Sequence, residues 1–148
     1  VFKKLKKSLP KFIYSFPISK NEITRAILFN KDNLKKIVKI VHLEIKKKMN
    51  VFLKKHENKK IVVLDIPLLL ENKINSKKDI LVFVESKKSE ILKRLKNRNN
   101  YNKELYKKFK NIQLPLNYKK NKSQFIIKND FTDKSVKRAI KNILSQII

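Results

Sequence analysis

The stretch IVVLDIPLLLE, residues 61–71, carries the strongest fold signal in the sequence. Its first part is a continuous apolar, largely β-branched run that ends at Asp65, without the polar alternation of a half-exposed strand. Such runs are typical of parallel strands covered on both faces of a sheet. Pro67 then stops the run, and a short apolar turn leads to the carboxylate of Glu71. We therefore predict a buried strand over residues 61–65.

The turn after this strand has two interpretations. Ligands of open α/β sheets bind outside the carboxyl ends of the strands, so Glu71 is a candidate site residue. Alternatively, the proline only ends the strand, and Glu71 lies in the first turn of a following helix. These residues taken alone do not favour either interpretation.

The surrounding elements predict an α/β layered domain. Ser19 and Glu22 fit a capping box that starts a short helix ending near Phe29. Apolar residues at spacings of three and four predict a long helix over about 32–55. Two further strands and four further helices are predicted, at 80–84 and 124–127 and at about 87–98, 102–112, 116–121 and from 136 onward. Because three strands are few for such a sheet, we expect one or two more upstream of Val1.

The composition excludes several classes of protein. There is no cysteine, so there is no disulfide framework and no thiolate metal site. The two histidines, His42 and His56, are too few for a zinc cluster, and no metal site is predicted. No apolar run reaches the ~20 residues that span a bilayer. We therefore expect a cytoplasmic protein without a membrane partner.

The net charge of +27 also has two interpretations. It is typical of nucleic-acid-binding proteins. It also fits compositional drift in an AT-rich genome, because lysine, asparagine and isoleucine are abundant while glycine is absent. The lysines lie in every segment, and arginine, the better reader of phosphates and bases, is scarce. We favour drift over a nucleic-acid partner, since the aromatic residues are predicted to lie in apolar stripes and strands.

Six segments, in order, resemble those of the dephospho-coenzyme A kinases, P-loop kinases of the last step of coenzyme A synthesis. Residues 67–71 resemble the family's PLL-x-E signature. Residues 23–29 resemble the family's arginine before a Leu/Phe-rich helix, and residues 40–45 resemble its histidine stretch. Residues 91–98 resemble the R-L-x-x-R start of the lid, and residues 113–119 contain the lid's later Gln and Lys. Residues 125–129 resemble the last strand.

The resemblance implies a three-layer P-loop kinase fold in one partial domain. A helical acceptor-binding part would span about 20–55, the core sheet and helices 61–93 and 122–148, and the lid 94–121. The implied reaction is ATP-dependent phosphorylation of the ribose 3′-hydroxyl of dephospho-coenzyme A. The implied small molecules are ATP, with Mg²⁺, and dephospho-coenzyme A.

The resemblance also implies roles for residues of the lid. Arg98, Arg94 and Lys119 would contact ATP. Arg94 and Arg98 lie four apart on a predicted helix, so we expect them to share one face. Planar guanidinium groups there would bind phosphate oxygens bidentately. The alternative is a pair of solvated helix charges.

The implied acceptor-side residues are Arg25, His42, Pro67, Leu68 and Glu71. For Arg25 the alternative is a surface helix charge. For His42 we favour the alternative, a histidine at the edge of the core that is hydrogen-bonded to a neighbour.

The chain departs from the family pattern in one serious respect. The family begins with a strand, a glycine-rich P-loop and a second strand that bears an aspartate, and a sequence without glycine contains no such loop. We therefore expect a fragment that lacks the first strands, has no catalytic residue of its own and is inactive alone. The competing hypotheses are a basic nucleic-acid-binding module and a related P-loop nucleotide or nucleoside kinase.

Overall fold

A computed structural model describes all residues, 1–148. The chain has seven helices and two strands and divides into two compact units. Unit 1 comprises Val1–Asp65 and Asn102–Asn111, and unit 2 comprises Ile66–Tyr101 and Ile112–Ile148. No helix is both long enough and apolar enough to cross a membrane.

Unit 1 is helical. It contains α1 (Phe2–Ser8), α2 (Lys20–Phe29), α3 (Lys31–Lys55) and α5 (Lys103–Asn111). Its core is aliphatic and is drawn from α1, the following turn, α2 and the first part of α3: Leu5, Leu9, Ile13, Ala26, Ile27, Leu34 and Ile37. Burial of this apolar surface is the main term that holds the helices together.

The predicted capping box at the start of α2 is confirmed. The Ser19 hydroxyl accepts from the backbone N–H of Glu22, and the Glu22 carboxylate accepts from the backbone N–H of Ser19. Each bond satisfies a donor that a helix N-terminus leaves unpaired. The long second helix is confirmed as well, with Asn30 as its cap and His56 at its end.

Unit 2 contains β1 (Val82–Glu85), α4 (Lys88–Lys96), α6 (Leu116–Lys122), β2 (Phe125–Lys128) and α7 (Asp133–Ile147). The two strands pair in parallel, from Val82 opposite Phe125 to Glu85 opposite Lys128. Parallel neighbours need a long crossover, and the helical segment between β1 and β2 supplies it. The α/β class with a parallel sheet, predicted from the sequence, is therefore confirmed.

The strand predicted over residues 61–65 is wrong. No residue of 61–65 is in a strand, and none makes a backbone–backbone hydrogen bond. A strand needs a neighbouring strand whose backbone N–H and C=O groups pair with its own. A β-branched composition favours an extended backbone, but it does not provide that neighbour. The exposed fraction of Val63 is 84%, so the run is not buried either.

The expectation that the strands are covered on both faces is also wrong. Val82 and Val84 of β1 are exposed, and so is Ile126 of β2. Ile127 is buried, and α7 packs against β2. A two-stranded sheet with one packed helix leaves part of its apolar surface in contact with water, which is why the buried pattern of a full parallel sheet is not reached.

Candidate functional site

The PLL-x-E segment of unit 2 forms a series of turns rather than a helix. Leu68 has a φ of 56°, and the backbone N–H of Asn72 donates to the Leu68 carbonyl at 3.1 Å. Pro67 is exposed and Leu68 is half-buried, and both offer only apolar side-chain surface to a ligand. The interpretation that placed Glu71 in the first turn of a helix is therefore wrong.

The segment brings Glu71 and Lys119 together. The Lys119 Nζ lies 2.5 Å from Glu71 Oε1, and the side chains are 18% and 9% exposed, respectively. The backbone N–H of Leu114 donates to the same carboxylate oxygen at 3.0 Å. Glu71 thus connects the turn at 67–73 to the segment that carries α6.

The charge state of Glu71 follows from these contacts. Burial by itself would raise the pKa of Glu71, but the hydrogen bonds from Lys119 and Leu114 outweigh it and lower the pKa below its ordinary value. Glu71 is therefore ionised at neutral pH. Lys119, which was predicted to contact phosphate, has its charge compensated by this carboxylate.

A second ion pair holds the same helix. Lys120 Nζ lies 2.7 Å from Oε1 of Glu85, the last residue of β1. The two side chains are each 37% exposed. Adjacent lysines of α6 are thus bound to the PLL-x-E turn and to the carboxyl end of β1, the edge where ligands of open α/β sheets bind.

Arg94 lies over the ring of Phe131, with its guanidinium carbon 3.9 Å from the ring centroid. Phe131 is in the turn between β2 and α7, next to Asp130. The hydroxyls of Ser135 and Thr132 donate to Asp130 and lower its pKa to about 2. All six ion pairs of the chain use lysine, so Arg94 has the cation–π contact with Phe131 and no carboxylate partner.

The expectation that Arg94 and Arg98 share one helix face is wrong. Helix α4 ends at Lys96, with Asn97 as its C-terminal cap. Arg98 follows in a turn, where its backbone N–H donates to the Leu95 carbonyl at 3.2 Å. Its side chain is exposed and makes no hydrogen bond within the chain. Helical spacing cannot align two residues when the second lies beyond the helix end.

Leu68, Lys73 and Phe131 adopt left-handed backbone conformations. Glycine substitutions at Lys73 and Phe131 test whether the Arg94–Phe131 contact stabilises the chain. Lys73 (φ 50°) is exposed, whereas Phe131 (φ 66°) contacts Arg94. A left-handed conformation costs a residue with a Cβ roughly 1–2 kcal/mol, and glycine's extra backbone entropy removes about 0.5–1 kcal/mol of the gain. We expect K73G to stabilise the chain by about 0.5 kcal/mol.

The matched change F131G should not stabilise the chain, because it also removes a cation–π contact of about 0.5–2 kcal/mol. Urea unfolding of both variants measures the difference. A gain for F131G equal to that of K73G would contradict a stabilising role for the Arg94–Phe131 contact.

In unit 1, Arg25 lies on α2 and is exposed. Its guanidinium donates a hydrogen bond to the hydroxyl of Tyr14 and lies 5.7 Å from the centroid of that ring. All six ion pairs of the chain use lysine, so Arg25 has no carboxylate partner.

His42 is half-buried on α3, and its Nδ1 is buried without a hydrogen-bond partner in the chain. The hydrogen bond to a neighbour that the sequence suggested is not present at this atom. His56 differs, because its Nδ1 lies 2.8 Å from the Phe52 carbonyl at the end of α3.

Sequence reasoning missed three residues that organise these sites. Glu22 was recognised as a capping residue, but its bonds to Tyr14 and Ser15 were not predicted. Phe131 gave no signal because its contact with Arg94 is not local. Tyr14 gave no local signal either, because Arg25, which donates to its hydroxyl, is eleven residues further along the chain.

Comparison with known proteins adds the family. The family model of dephospho-CoA kinase matches residues 17–135. A dephospho-CoA kinase of Wolbachia sp. subsp. Brugia malayi is 29% identical over 143 residues, which are 95% of this chain and 73% of that protein. A dephospho-CoA kinase of Bacillus thuringiensis is 31% identical over 133 residues, which are 87% of this chain and 66% of that protein.

The match runs through both units and includes the PLL-x-E turn, α4, α6 and β2. It confirms the resemblance drawn from six short segments. The chain therefore belongs to the dephospho-CoA kinase family.

Proposed function

We propose that this chain supplies the acceptor-side and lid parts of an enzyme that transfers a phosphoryl group from ATP to the ribose 3′-hydroxyl of dephospho-coenzyme A. The observation that carries the proposal is the family match over residues 17–135. The two relatives described above are named dephospho-CoA kinases. The proposed place of action is the cytoplasm.

Phosphoryl transfer asks a protein mainly for positioning and for positive charge near the moving group. Arg94 and Arg98 remain the proposed contacts to ATP, because neither is paired with a carboxylate. Lys119 would join them after exchanging Glu71 for a phosphate oxygen. The proposed acceptor-side set is unchanged: Arg25, His42, Pro67, Leu68 and Glu71.

The proposed division into an acceptor part at 20–55, core segments at 61–93 and 122–148, and a lid at 94–121 also stays a prediction. Within unit 1, α5 contacts α2 through Lys108, whose Nζ donates to the Leu28 carbonyl at 2.9 Å. The lid range as predicted therefore includes a helix that packs on the acceptor-side helix.

The nucleotide and its metal ion need residues that these 148 do not contain. Without glycine there is no glycine-rich loop to hold the phosphates of ATP. Mg²⁺ in kinases is usually held by one or two carboxylates together with the phosphates of the nucleotide, so its binding also depends on the loop that holds those phosphates. We propose that the 148 residues alone are inactive.

The test compares two proteins. One is the 148-residue chain, and the other is the same chain preceded by the segment that the family resemblance implies, a strand, a glycine-rich P-loop and a second strand with an aspartate. ATP-dependent conversion of dephospho-coenzyme A to coenzyme A is expected only for the second. Equal turnover by the chain alone would contradict the proposed inactivity.

A direct binding measurement separates the acceptor from the reaction. Calorimetric titration of the 148-residue chain is expected to show a higher affinity for dephospho-coenzyme A than for adenosine or another simple nucleoside. Preference for a nucleoside would favour a related P-loop kinase with another acceptor and would overturn the proposed substrate.

The exposed aromatic residues support the competing nucleic-acid hypothesis. Phe29 is 77% exposed and Phe52 is 43% exposed, so a place in an apolar stripe does not remove these two rings from the solvent. Exposed rings among lysines are typical of single-strand-binding surfaces. Filter binding of a single-stranded RNA, titrated against salt, should show at most weak, steeply salt-dependent affinity if the kinase proposal is correct.

A further inference from the structure

A concavity of about 430 Å³ opens in unit 1 beside the start of α2. It is lined by Tyr14, Ser19, Asn21, Thr24 and Arg25. Four of these side chains carry a hydroxyl or an amide, the fifth is a cation, and none is a carboxylate. A lining of this kind offers hydrogen-bond donors and one positive charge, which suits a ligand rich in anionic oxygen.

Most of the hydrogen-bonding capacity of Arg25 is unused. Its guanidinium makes one side-chain hydrogen bond within the chain, to the Tyr14 hydroxyl, and has no carboxylate partner. The remaining N–H donors are exposed to the solvent. A planar guanidinium with free donors binds phosphate oxygens in a bidentate manner, which an ammonium cannot do.

The loop that carries Tyr14 is held by Glu22, which is 1% exposed. One carboxylate oxygen accepts from the backbone N–H of Tyr14 at 2.7 Å and of Ser15 at 2.9 Å. The other accepts from the Ser15 hydroxyl at 2.5 Å and from the backbone N–H of Ser19 at 2.8 Å. Both ends of loop 14–19 are thereby fixed on one side chain.

The same side chain does not line the concavity. Its negative charge is engaged by donors of the loop, so it leaves the charge of Arg25 available to a ligand. Holding the loop before binding reduces the ordering cost when a ligand arrives. Tyr14 is therefore held in place before a ligand binds, and its hydroxyl in turn orients the Arg25 guanidinium.

We propose that Arg25 and Tyr14 form a subsite for a phosphate- or pyrophosphate-bearing ligand, and that Glu22 is its positioning residue. If the proposed function is correct, the group bound here is the pyrophosphate of dephospho-coenzyme A, and that assignment rests on the proposed function. The subsite itself rests on the geometry of unit 1.

The experiment titrates the folded 148-residue chain with inorganic pyrophosphate by calorimetry. R25A is expected to weaken binding about tenfold or more, because charged hydrogen bonds are lost. R25K keeps the charge without the planar fork and should fall between R25A and the wild type. R138A is the matched control, since Arg138 is an exposed arginine of α7 in unit 2, and its effect should stay below about twofold.

Equal losses for R25A and R138A would overturn the subsite, because they would show that only the bulk charge of the chain attracts the anion.

Y14F removes the hydroxyl and retains the ring, and a loss of about threefold is expected from one weaker hydrogen bond. E22Q tests positioning. It should weaken pyrophosphate binding more than Y14F, while circular dichroism at the titration temperature verifies that the chain is folded.

A second titration, with dephospho-coenzyme A and with pantetheine, which lacks phosphate, separates this proposal from the proposed function. If dephospho-coenzyme A binds and R25A does not weaken it, the subsite assignment fails and the function stands. If pyrophosphate binding depends on Arg25 but dephospho-coenzyme A does not bind, the proposed function fails and the subsite stands. Pantetheine binding as tight as that of dephospho-coenzyme A would exclude a phosphate role for Arg25 in the acceptor complex.

Discussion

Replacing Glu22 by alanine is expected to lower the melting temperature of the chain by about 10 °C. The substitution removes the acceptor of three backbone N–H groups and of the Ser15 hydroxyl. It also removes half of the capping box of α2. Donors left without a partner in a buried place cost more than the bonds themselves are worth. Thermal unfolding followed by circular dichroism measures the shift.

Glu44 provides the control for this prediction. Its carboxylate pairs with one lysine, Lys4, and both side chains are partly exposed. E44A should therefore move the melting temperature only slightly, as surface ion pairs do. Similar melting temperatures for E22A and E44A would show that the carboxylate of Glu22 does not hold the loop.

Acidification offers an independent measurement of the same interaction. Burial alone would raise the pKa of Glu22, but hydrogen bonds from Ser15, Tyr14 and Ser19 lower it far below its ordinary range. Because the pKa in the folded state is the lower one, the stabilisation is complete above the ordinary glutamate pKa of about 4.3. The difference between the wild type and E22A should therefore be constant from pH 7 to about 5 and shrink as the pH falls further.

Much of the fold could be predicted because the helices are encoded locally. The spacing of Ser19 and Glu22 defines a cap, and the apolar residues of 32–55 repeat with the helical period, so both elements follow from neighbouring residues. The strands were harder to predict from the sequence. The β-branched run at 61–65 resembles β1 in composition, yet only β1 has a partner, and pairing is decided by residues distant in the sequence.

The sites were less predictable for the same reason. Lys119 is one of many lysines, and nothing local distinguishes it as the partner of Glu71. The bonds from loop 14–19 to Glu22 depend on how the chain turns back before α2. Arg94 was predicted from the resemblance of residues 91–98 to the start of the lid, but its contact, Phe131, occupies a left-handed position that only the fold reveals.

The ion pair between Glu71 and Lys119 should show strong coupling in a double-mutant cycle. Removing Glu71 leaves the largely buried ammonium of Lys119 unpaired and the Leu114 N–H without an acceptor, so E71A is expected to cost about 2 kcal/mol. Adding K119A to E71A should cost little more, because the unpaired charge is then removed. The resulting coupling energy is expected to be about 1–2 kcal/mol, since partial exposure screens the pair.

The neighbouring pair, Glu85 and Lys120, is the matched control within the same helix α6. Its side chains are more exposed, so its coupling should be clearly smaller and should disappear first in 1 M salt. Urea unfolding of the two cycles, at neutral pH and again below the ordinary pKa of Glu71, gives the comparison. If the Glu71–Lys119 coupling is no larger than the Glu85–Lys120 coupling, or if it persists undiminished at low pH, the Glu71–Lys119 ion pair does not stabilise the fold. Lys119 would then be free for phosphate without breaking a stabilising contact.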